Sequence, residues 1–199
     1  PAEVYTRPDR ENDYADDLNT RSHMVNYLSG GSVYNPSDKG LGVPFEMTLA
    51  FHSDAGFSKM DEWIGTLGVY TTDFNEGRLN SGVSRYTSRD LTDLVLTGLQ
   101  KDISARYGIQ WARRGMWNRN YSETRLPAVP SMILEILSHQ NFADMKYGLD
   151  PSFRFDVSRA IYKGMLKYLS NRYGCDYVVQ PLPVSDIGVT FGKAGKAVI

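Results

Sequence analysis

Apolar residues recur along this chain with two periods, and each period predicts one class of secondary structure. Over residues 88–107 they fall at every third or fourth position, which predicts an amphipathic helix with Ser88 as its N-cap and Gly108 as its stop. The same spacing predicts a second long helix over residues 155–173 and a shorter one over residues 16–28. We expect the apolar faces of these helices to form the core.

Short apolar runs bounded by turn residues predict the strands. These runs cover residues 3–6, 44–51, 64–71 and 128–137. The segment 111–125, in which arginines crowd together, is expected to be irregular. Strands that alternate with long helices indicate an α/β protein, here a three-layer sandwich whose largely parallel or mixed sheet carries helices on both faces.

The chain changes character at Gln180, which predicts a domain boundary. Residues 1–179 are assigned to the α/β domain. Residues 180–199 begin with prolines and continue with alternating apolar positions, a pattern that predicts a linker and the start of a β-hairpin. This tail is too short to bury a core of its own, and it resembles the opening strands of a fibronectin type III-like module.

Composition narrows the range of partners. The chain has 199 residues, a formal net charge of -1 and no Lys/Arg-rich run, so nucleic acid is not an expected partner. No apolar stretch approaches the roughly 20 residues that span a bilayer, and no signal peptide is visible.

Cys175 is the only cysteine, which excludes an intrachain disulfide and predicts a small buried side chain. We expect a monomer.

Two residues lie where such a fold places its chemistry. His52 follows the predicted strand 44–51, and ligands of parallel α/β sheets collect at the carboxyl ends of strands. There it can ligate a metal or act as a base, or it can be a structural histidine at a loop edge. Glu135 lies among apolar residues, where burial of an unpaired carboxylate is costly. It is therefore either a general base in a cleft or the partner of an arginine from residues 113–125.

Other chemistry finds less support in the sequence. His139 could complete a metal site with His52, or it could bond the backbone of its own loop. No glycine-rich phosphate loop opens a helix, and no serine lies in the Gly-x-Ser-x-Gly pattern of a nucleophile elbow.

Three blocks of residues together resemble the zinc-dependent N-acetylmuramoyl-L-alanine amidases of bacterial cell walls. The first block, residues 4–7 with Leu18, Arg21 and Asn26, matches the family's Thr-Arg strand and its Leu-x-x-Arg helix. The second block, residues 49–55, matches the strand end that bears a histidine. The third block, residues 114–115, 126–130, 134–138 and 160–162, matches the Pro-Ala-Val strand with a glutamate and a final helix. The likeness covers residues 4–169.

This resemblance implies an enzyme that hydrolyses the amide between muramic acid and L-alanine in peptidoglycan. His52 would be a zinc ligand and Glu135 the catalytic base, while Arg114 and Arg125 would bind a carboxylate of the substrate. The resemblance also implies a zinc cofactor and a bacterial protein that is secreted, periplasmic or displayed at the cell surface.

Two of the family's three zinc ligands have no counterpart in this sequence. In the family a histidine and a helical glutamate precede the Thr-Arg strand, whereas only five residues precede Thr6 and none of them is a histidine. We expect these ligands N-terminal to Pro1, and we expect the 199-residue chain alone to be inactive. The alternative is a branch of the family that does not use zinc.

Two other functions stay open. The domain could be a non-catalytic glycan-binding or cell-wall-binding module of a larger secreted protein. It could also be a polysaccharide lyase, because the chain resembles a secreted subgroup that is often labelled xanthan lyase. Zinc content and the nature of the released product discriminate among the three functions.

Overall fold

The computed structural model describes residues 1–5, 12–181, 190–191 and 197–198. The helices are α1 (Ala2–Tyr5), α2 (Asp13–Ser29), α3 (Tyr86–Tyr107), α4 (Ser122–Arg125), α5 (Phe142–Gly148) and α6 (Pro151–Tyr173), with a 3-10 turn at Asn75–Gly77. The strands are β1 (Thr48–Asp54), β2 (Thr66–Tyr70), β3 (Arg113–Asn118), β4 (Ser131–Ser138), β5 (Thr190–Phe191) and β6 (Ala197–Val198).

The main sheet of the described residues is mixed and has the strand order β1-β4-β2-β3. β1 runs parallel to β4 and β3 runs parallel to β2, while β2 and β4 are antiparallel. Helices α3, α5 and α6 pack on one face of this sheet, and α2 and α4 lie over the other. The predicted three-layer α/β sandwich is therefore confirmed, with a mixed sheet.

The main core lies between the sheet and the pair α3 and α6. Met132 and Leu134 of β4 are fully buried in it, together with Leu99 of α3. The two helices approach closely at Gly164, where a Cβ atom would lie 2.8 Å from the Cα of Val95. The predicted apolar faces of both long helices thus form this core.

Capping residues explain where α6 begins and where α3 ends. α6 begins at Pro151, four residues before the predicted start, because Asp150 accepts a hydrogen bond from the Ser152 N–H and proline suits the first turn. α3 ends as predicted at Gly108, which adopts a left-handed φ of 63°. The prediction that Ser88 caps α3 is wrong. Its hydroxyl is buried and accepts a hydrogen bond from the Ser131 N–H at 3.1 Å.

Three further sequence expectations are wrong. Residues 2–5 form a helical turn that packs on α2 through buried Val4, whereas a strand was expected; Thr6 lies outside the described residues. Residues 111–125 contain strand β3 and helix α4, because an edge strand with mostly exposed side chains carries no apolar alternation. Cys175 is exposed, since it follows the end of α6.

Strands β5 and β6 pair antiparallel, with Thr190 opposite Val198 and Phe191 opposite Ala197. Most of the predicted linker and fibronectin-like tail lies outside the described residues, so the domain boundary at residue 180 stays a prediction. Among the helices that the structure describes, none is long and apolar enough to cross a bilayer.

Candidate functional site

His52 and Glu135 lie side by side on neighbouring strands. In the parallel pairing of β1 with β4, His52 is the direct partner of Glu135. Directly paired residues of neighbouring strands project to the same face of a sheet, here the face that α2 and α4 cover. The two residues chosen from sequence are therefore brought together near the carboxyl ends of parallel strands.

Glu135 has the environment of a reactive carboxyl group. Burial raises the pKa of Glu135 above its usual range; the charge of His52 opposes this shift and that of Asp54 adds to it. One carboxyl oxygen, Oε2, is buried and has no hydrogen-bond partner among the described residues. A salt bridge to an arginine of residues 113–125, the structural alternative for Glu135, is not among the ion pairs that the structure describes. The raised pKa and the unpartnered oxygen therefore favour a role for Glu135 as a proton acceptor over a structural role.

Glu123 is the residue of this site that sequence reasoning missed. Its Oε2 lies 2.8 Å from Nε2 of His52, and its side chain is only 13% exposed. A carboxylate can only accept a hydrogen bond, so this contact requires an N–H at Nε2 of His52. Glu123 thus orients the His52 ring.

Helix α4, which carries Glu123, is only four residues long and is held by buried polar contacts. Thr124 is fully buried, and its hydroxyl lies 2.7 Å from that of Thr71. The Thr124 carbonyl accepts hydrogen bonds from Arg85 Nη1 at 3.3 Å and from Ser131 Oγ at 3.0 Å. Glu123 therefore rests on a fixed support although it belongs to a short helix.

Helix α2 supports the same site through one of its faces. Arg21 Nη1 lies 3.2 Å from Glu123 Oε1, which holds the second carboxyl oxygen. Asn26 donates to the Leu126 carbonyl at 2.9 Å and accepts from the Ala128 N–H at 2.8 Å. The Leu-x-x-Arg helix with its later Asn, recognised in the sequence, thus fastens α2 to the segment between Glu123 and β4.

Of the two arginines proposed for substrate binding, Arg114 lies near enough to Glu135 for its charge to act on that carboxyl. It forms an ion pair with Asp54, and its guanidinium hydrogen bond lowers the pKa of that carboxyl. Arg125 instead donates to the Asn120 carbonyl at 3.0 Å and is not among the described residues that line the cavity over the site. Arg21 of α2 does line that cavity.

His139 does not join His52 at this site. Its Nδ1 lies 3.0 Å from the Ser53 hydroxyl, and its side chain is exposed. Because Ser53 is the neighbour of His52 along β1, its side chain projects to the opposite face of the sheet. The contact therefore lies across the sheet from Glu135.

A cavity of about 360 Å³ opens over His52, Glu123 and Glu135. Its other lining residues are apolar and aromatic side chains with two charged groups and one serine: Tyr14, Leu18, Arg21, Asp54, Leu67, Val69, Trp117, Tyr121, Ser122 and Ile133. A larger groove of about 570 Å³ between β1 and α6 is lined mostly by apolar residues; its lining includes His52 and Arg154 but no carboxylate.

The site fits a metal ion only in part. His52 has an imidazole ring of the kind that ligates metals, and the unpartnered Oε2 of Glu135 is suited to a water molecule held nearby. The described residues, however, contain no group of three or more His, Cys, Asp or Glu side chains that could hold a metal ion. A zinc site at His52 would need ligands from outside these residues, because a catalytic zinc takes three protein ligands.

No protein-family model matches this sequence. No curated protein matches it either. Solved structures of amidases nevertheless share its fold.

Three of these structures illustrate the likeness, each with a TM-score above 0.5. An N-acetylmuramoyl-L-alanine amidase from Clostridium difficile 630 is similar with a TM-score of 0.56 at 15% identity, over 78% of this chain and 66% of that one. The CwlD amidase from Clostridioides difficile, solved with the GerS lipoprotein, has a TM-score of 0.55 at 16% identity, over 84% and 70%. The N-acetylmuramyl-L-alanine amidase Ami1 from Mycobacterium smegmatis has a TM-score of 0.54 at 19% identity, over 77% and 61%.

These likenesses establish the fold, which is the one that the sequence resemblance implied. The chain spans 66% of the first amidase's length and 61% of Ami1.

Proposed function

We propose that this protein, which has the fold of N-acetylmuramoyl-L-alanine amidases, hydrolyses the amide between muramic acid and L-alanine in peptidoglycan. The observation that carries the proposal is the pairing of His52 with Glu135 on one face of the sheet, with a raised Glu135 pKa and a free carboxyl oxygen. We place its action outside the cytoplasm, where peptidoglycan lies.

Glu135 performs the proton transfers. Its Oε2 accepts a proton from the attacking water, and a pKa above the usual carboxyl range makes it a better base at neutral pH. The same carboxyl group then gives the proton to the departing amine of L-alanine. Burial beside Leu67 and Ile133 keeps bulk water away from this exchange.

His52 would be one ligand of the metal that the reaction is proposed to need. When bound, zinc would polarise the amide carbonyl and lower the pKa of a water molecule toward neutrality. Glu123 accepts a hydrogen bond from Nε2 of His52 and so orients the ring, as carboxylates behind histidine ligands commonly do. Arg21 keeps Glu123 in place.

The test compares variants of the zinc-loaded full-length protein acting on purified peptidoglycan. Glu135→Gln should lower peptide release by about 100-fold or more while zinc content and fold are kept, because the amide cannot take the proton. Glu62→Gln alters an exposed carboxylate away from the cavity and should release peptides at the wild-type rate. His52→Ala should lose both zinc and activity.

The other functions predict different results in the same assay. A lyase would produce an unsaturated uronic acid from a polyuronate without zinc. A binding module would sediment with cell walls and release nothing. Either result, or a Glu135→Gln variant with normal turnover, would overturn the amidase proposal.

A further inference from the structure

Three large aromatic side chains surround the mouth of the catalytic cavity. Tyr14 of α2 is 69% exposed, Tyr121 before α4 is 50% exposed and Trp117 of β3 is 43% exposed, yet all three line the cavity with His52 and Glu135. Exposure of rings this large costs free energy unless a ligand covers them. These three residues are called the aromatic rim below.

The strand register places Trp117 on the catalytic face of the sheet. Trp117 is the partner of Val69 in β3 and β2, and Val69 is the partner of Ile133 in β2 and β4. Ile133 is two residues from Glu135 on β4, so all four side chains project to one face. Because neighbouring strands lie about 4.8 Å apart, β3 is about 10 Å from β4. A ring stacked on Trp117 would therefore lie beside the reacting bond.

One ring of the rim is held before any ligand arrives. The guanidinium of Arg114 lies 5.8 Å from the Trp117 ring centre and is itself anchored by Asp54. At Tyr121 it is the backbone that is held, because its carbonyl accepts a hydrogen bond from the Thr124 hydroxyl at 3.1 Å. A prepositioned ring such as that of Trp117 loses little conformational freedom when a ligand binds.

The groups beside the rim decide which flat ligand fits. A pyranose ring presents polarised C–H bonds to the negative face of an aromatic ring, and its hydroxyl and acetamido groups hydrogen-bond to carboxylates and guanidinium groups such as Glu123 and Arg21. Nucleobases also stack on aromatic rings, but their phosphates would meet the carboxylates of Asp54, Glu123 and Glu135.

We propose that Tyr14, Trp117 and Tyr121 form a stacking subsite for N-acetylated hexosamine units of a glycan strand. The inference deepens the proposed amidase function and rests on it for the identity of the glycan. The subsite holds the sugar chain, while His52 and Glu135 act on the peptide that the chain carries.

The experiment uses an uncharged oligomer of N-acetylglucosamine, which carries no peptide, titrated into the 199-residue chain without metal. Calorimetry should detect binding to the wild type. Trp117→Ala and Tyr121→Ala should each weaken it by about tenfold, a loss typical of one stacked ring. Trp117→Phe and Tyr121→Phe should keep most of the affinity.

Matched controls separate stacking from exposure alone. Phe142, which is 69% exposed on α5 and lies 5.6 Å from the Lys146 ammonium, resembles the rim residues but is not part of the cavity lining. Phe142→Ala and Phe155→Ala should bind the oligomer as the wild type does. Thermal unfolding of each variant verifies that the fold is kept.

The outcomes for the subsite and for the amidase are independent. Absence of wild-type binding, or equal affinity of the wild type and the alanine variants, would overturn the subsite. If these variants lose binding while Glu135→Gln releases peptides normally, the subsite stands and the amidase proposal fails. If Glu135→Gln is inactive while the rim variants bind the oligomer normally, the subsite fails and the amidase proposal stands.

Discussion

The two faces of the main sheet bury different kinds of side chain. Toward α3 and α6 lies one large apolar cluster, in which Leu99, Met132 and Leu134 have no exposed surface. Toward α2 and α4 the apolar cluster is reduced to three buried residues, Leu67, Val69 and Ile133. Around the open cavity on that side lie carboxylates, the guanidinium of Arg21, His52 and the aromatic rim. One face therefore stabilises the fold and the other holds the reactive groups.

A single strand supplies both faces. Met132 and Leu134 of β4 enter the apolar core, while Ile133 and Glu135 alternate with them and face the cavity. A shift of β4 by one residue would exchange the two sets. The large core thus fixes the register that brings Glu135 beside His52.

Two carboxyl groups, that of buried Asp144 and that of half-buried Glu135, illustrate the same division. Asp144 accepts hydrogen bonds from the backbone N–H groups of Ile64 and Gly65 at 3.0 Å and of Ser138 at 2.8 Å. Glu135 leaves Oε2 without a partner. Asp144 thus joins the segment before β2 to the end of β4. Because its carboxyl oxygens already accept these hydrogen bonds, it has no capacity left for a substrate. Glu135 keeps that capacity at the expense of stability.

The largest effect is expected on the helix-packed face. Leu99→Ala should lower the free energy of unfolding by about 2 to 5 kcal/mol, because the site is fully buried and a cavity would remain. Leu18→Ala, at the half-buried cavity lining, should cost less because water already reaches its side chain. Urea titration measures both. Equal costs would show that the two faces do not differ as described.

A smaller loss is expected for Asp144→Asn. The amide keeps the size of the side chain but puts an N–H donor where three backbone N–H groups need acceptors. Bonds to a charged group contribute about 1.5 to 3 kcal/mol each, so the variant should lose about 2 kcal/mol or more. A change below about 0.5 kcal/mol in urea titration would contradict the structural role given to Asp144.

The smallest effect is expected for Glu135→Gln in the metal-free chain, and it is a gain in stability rather than a loss. Because burial raises the folded-state pKa of Glu135, the native state binds its proton more tightly than the unfolded chain does. Stability therefore falls as pH rises from the usual carboxyl range through the raised pKa. The glutamine variant lacks this fall and should be more stable than the wild type near pH 7, with little difference near pH 4.

Paired urea titrations at the two pH values test this sign. Glu62→Gln, at an exposed position, should track the wild type at both. A Glu135→Gln variant that is less stable near pH 7 would show that the native carboxylate has a stabilising partner.

Two residues of the site could be predicted from the sequence because the patterns that mark them are local. His52 ends an apolar run, and Glu135 interrupts another, so each stands out within a window of a few residues. Glu123 has no such signal, since it lies in a polar segment where a glutamate is ordinary. Its partner His52 is 71 residues away along the chain.

The sequence by itself determined the long helices, the strands β1, β2 and β4, and the two residues His52 and Glu135. Periodicity and strand ends are properties of short segments, and they survive any arrangement of those segments. Only the tertiary structure decided that β2 runs antiparallel to β4, that Arg114 pairs with Asp54, and that Glu123 orients His52. These contacts join residues 60 or more positions apart, and strand order and register, which no local pattern encodes, bring them together.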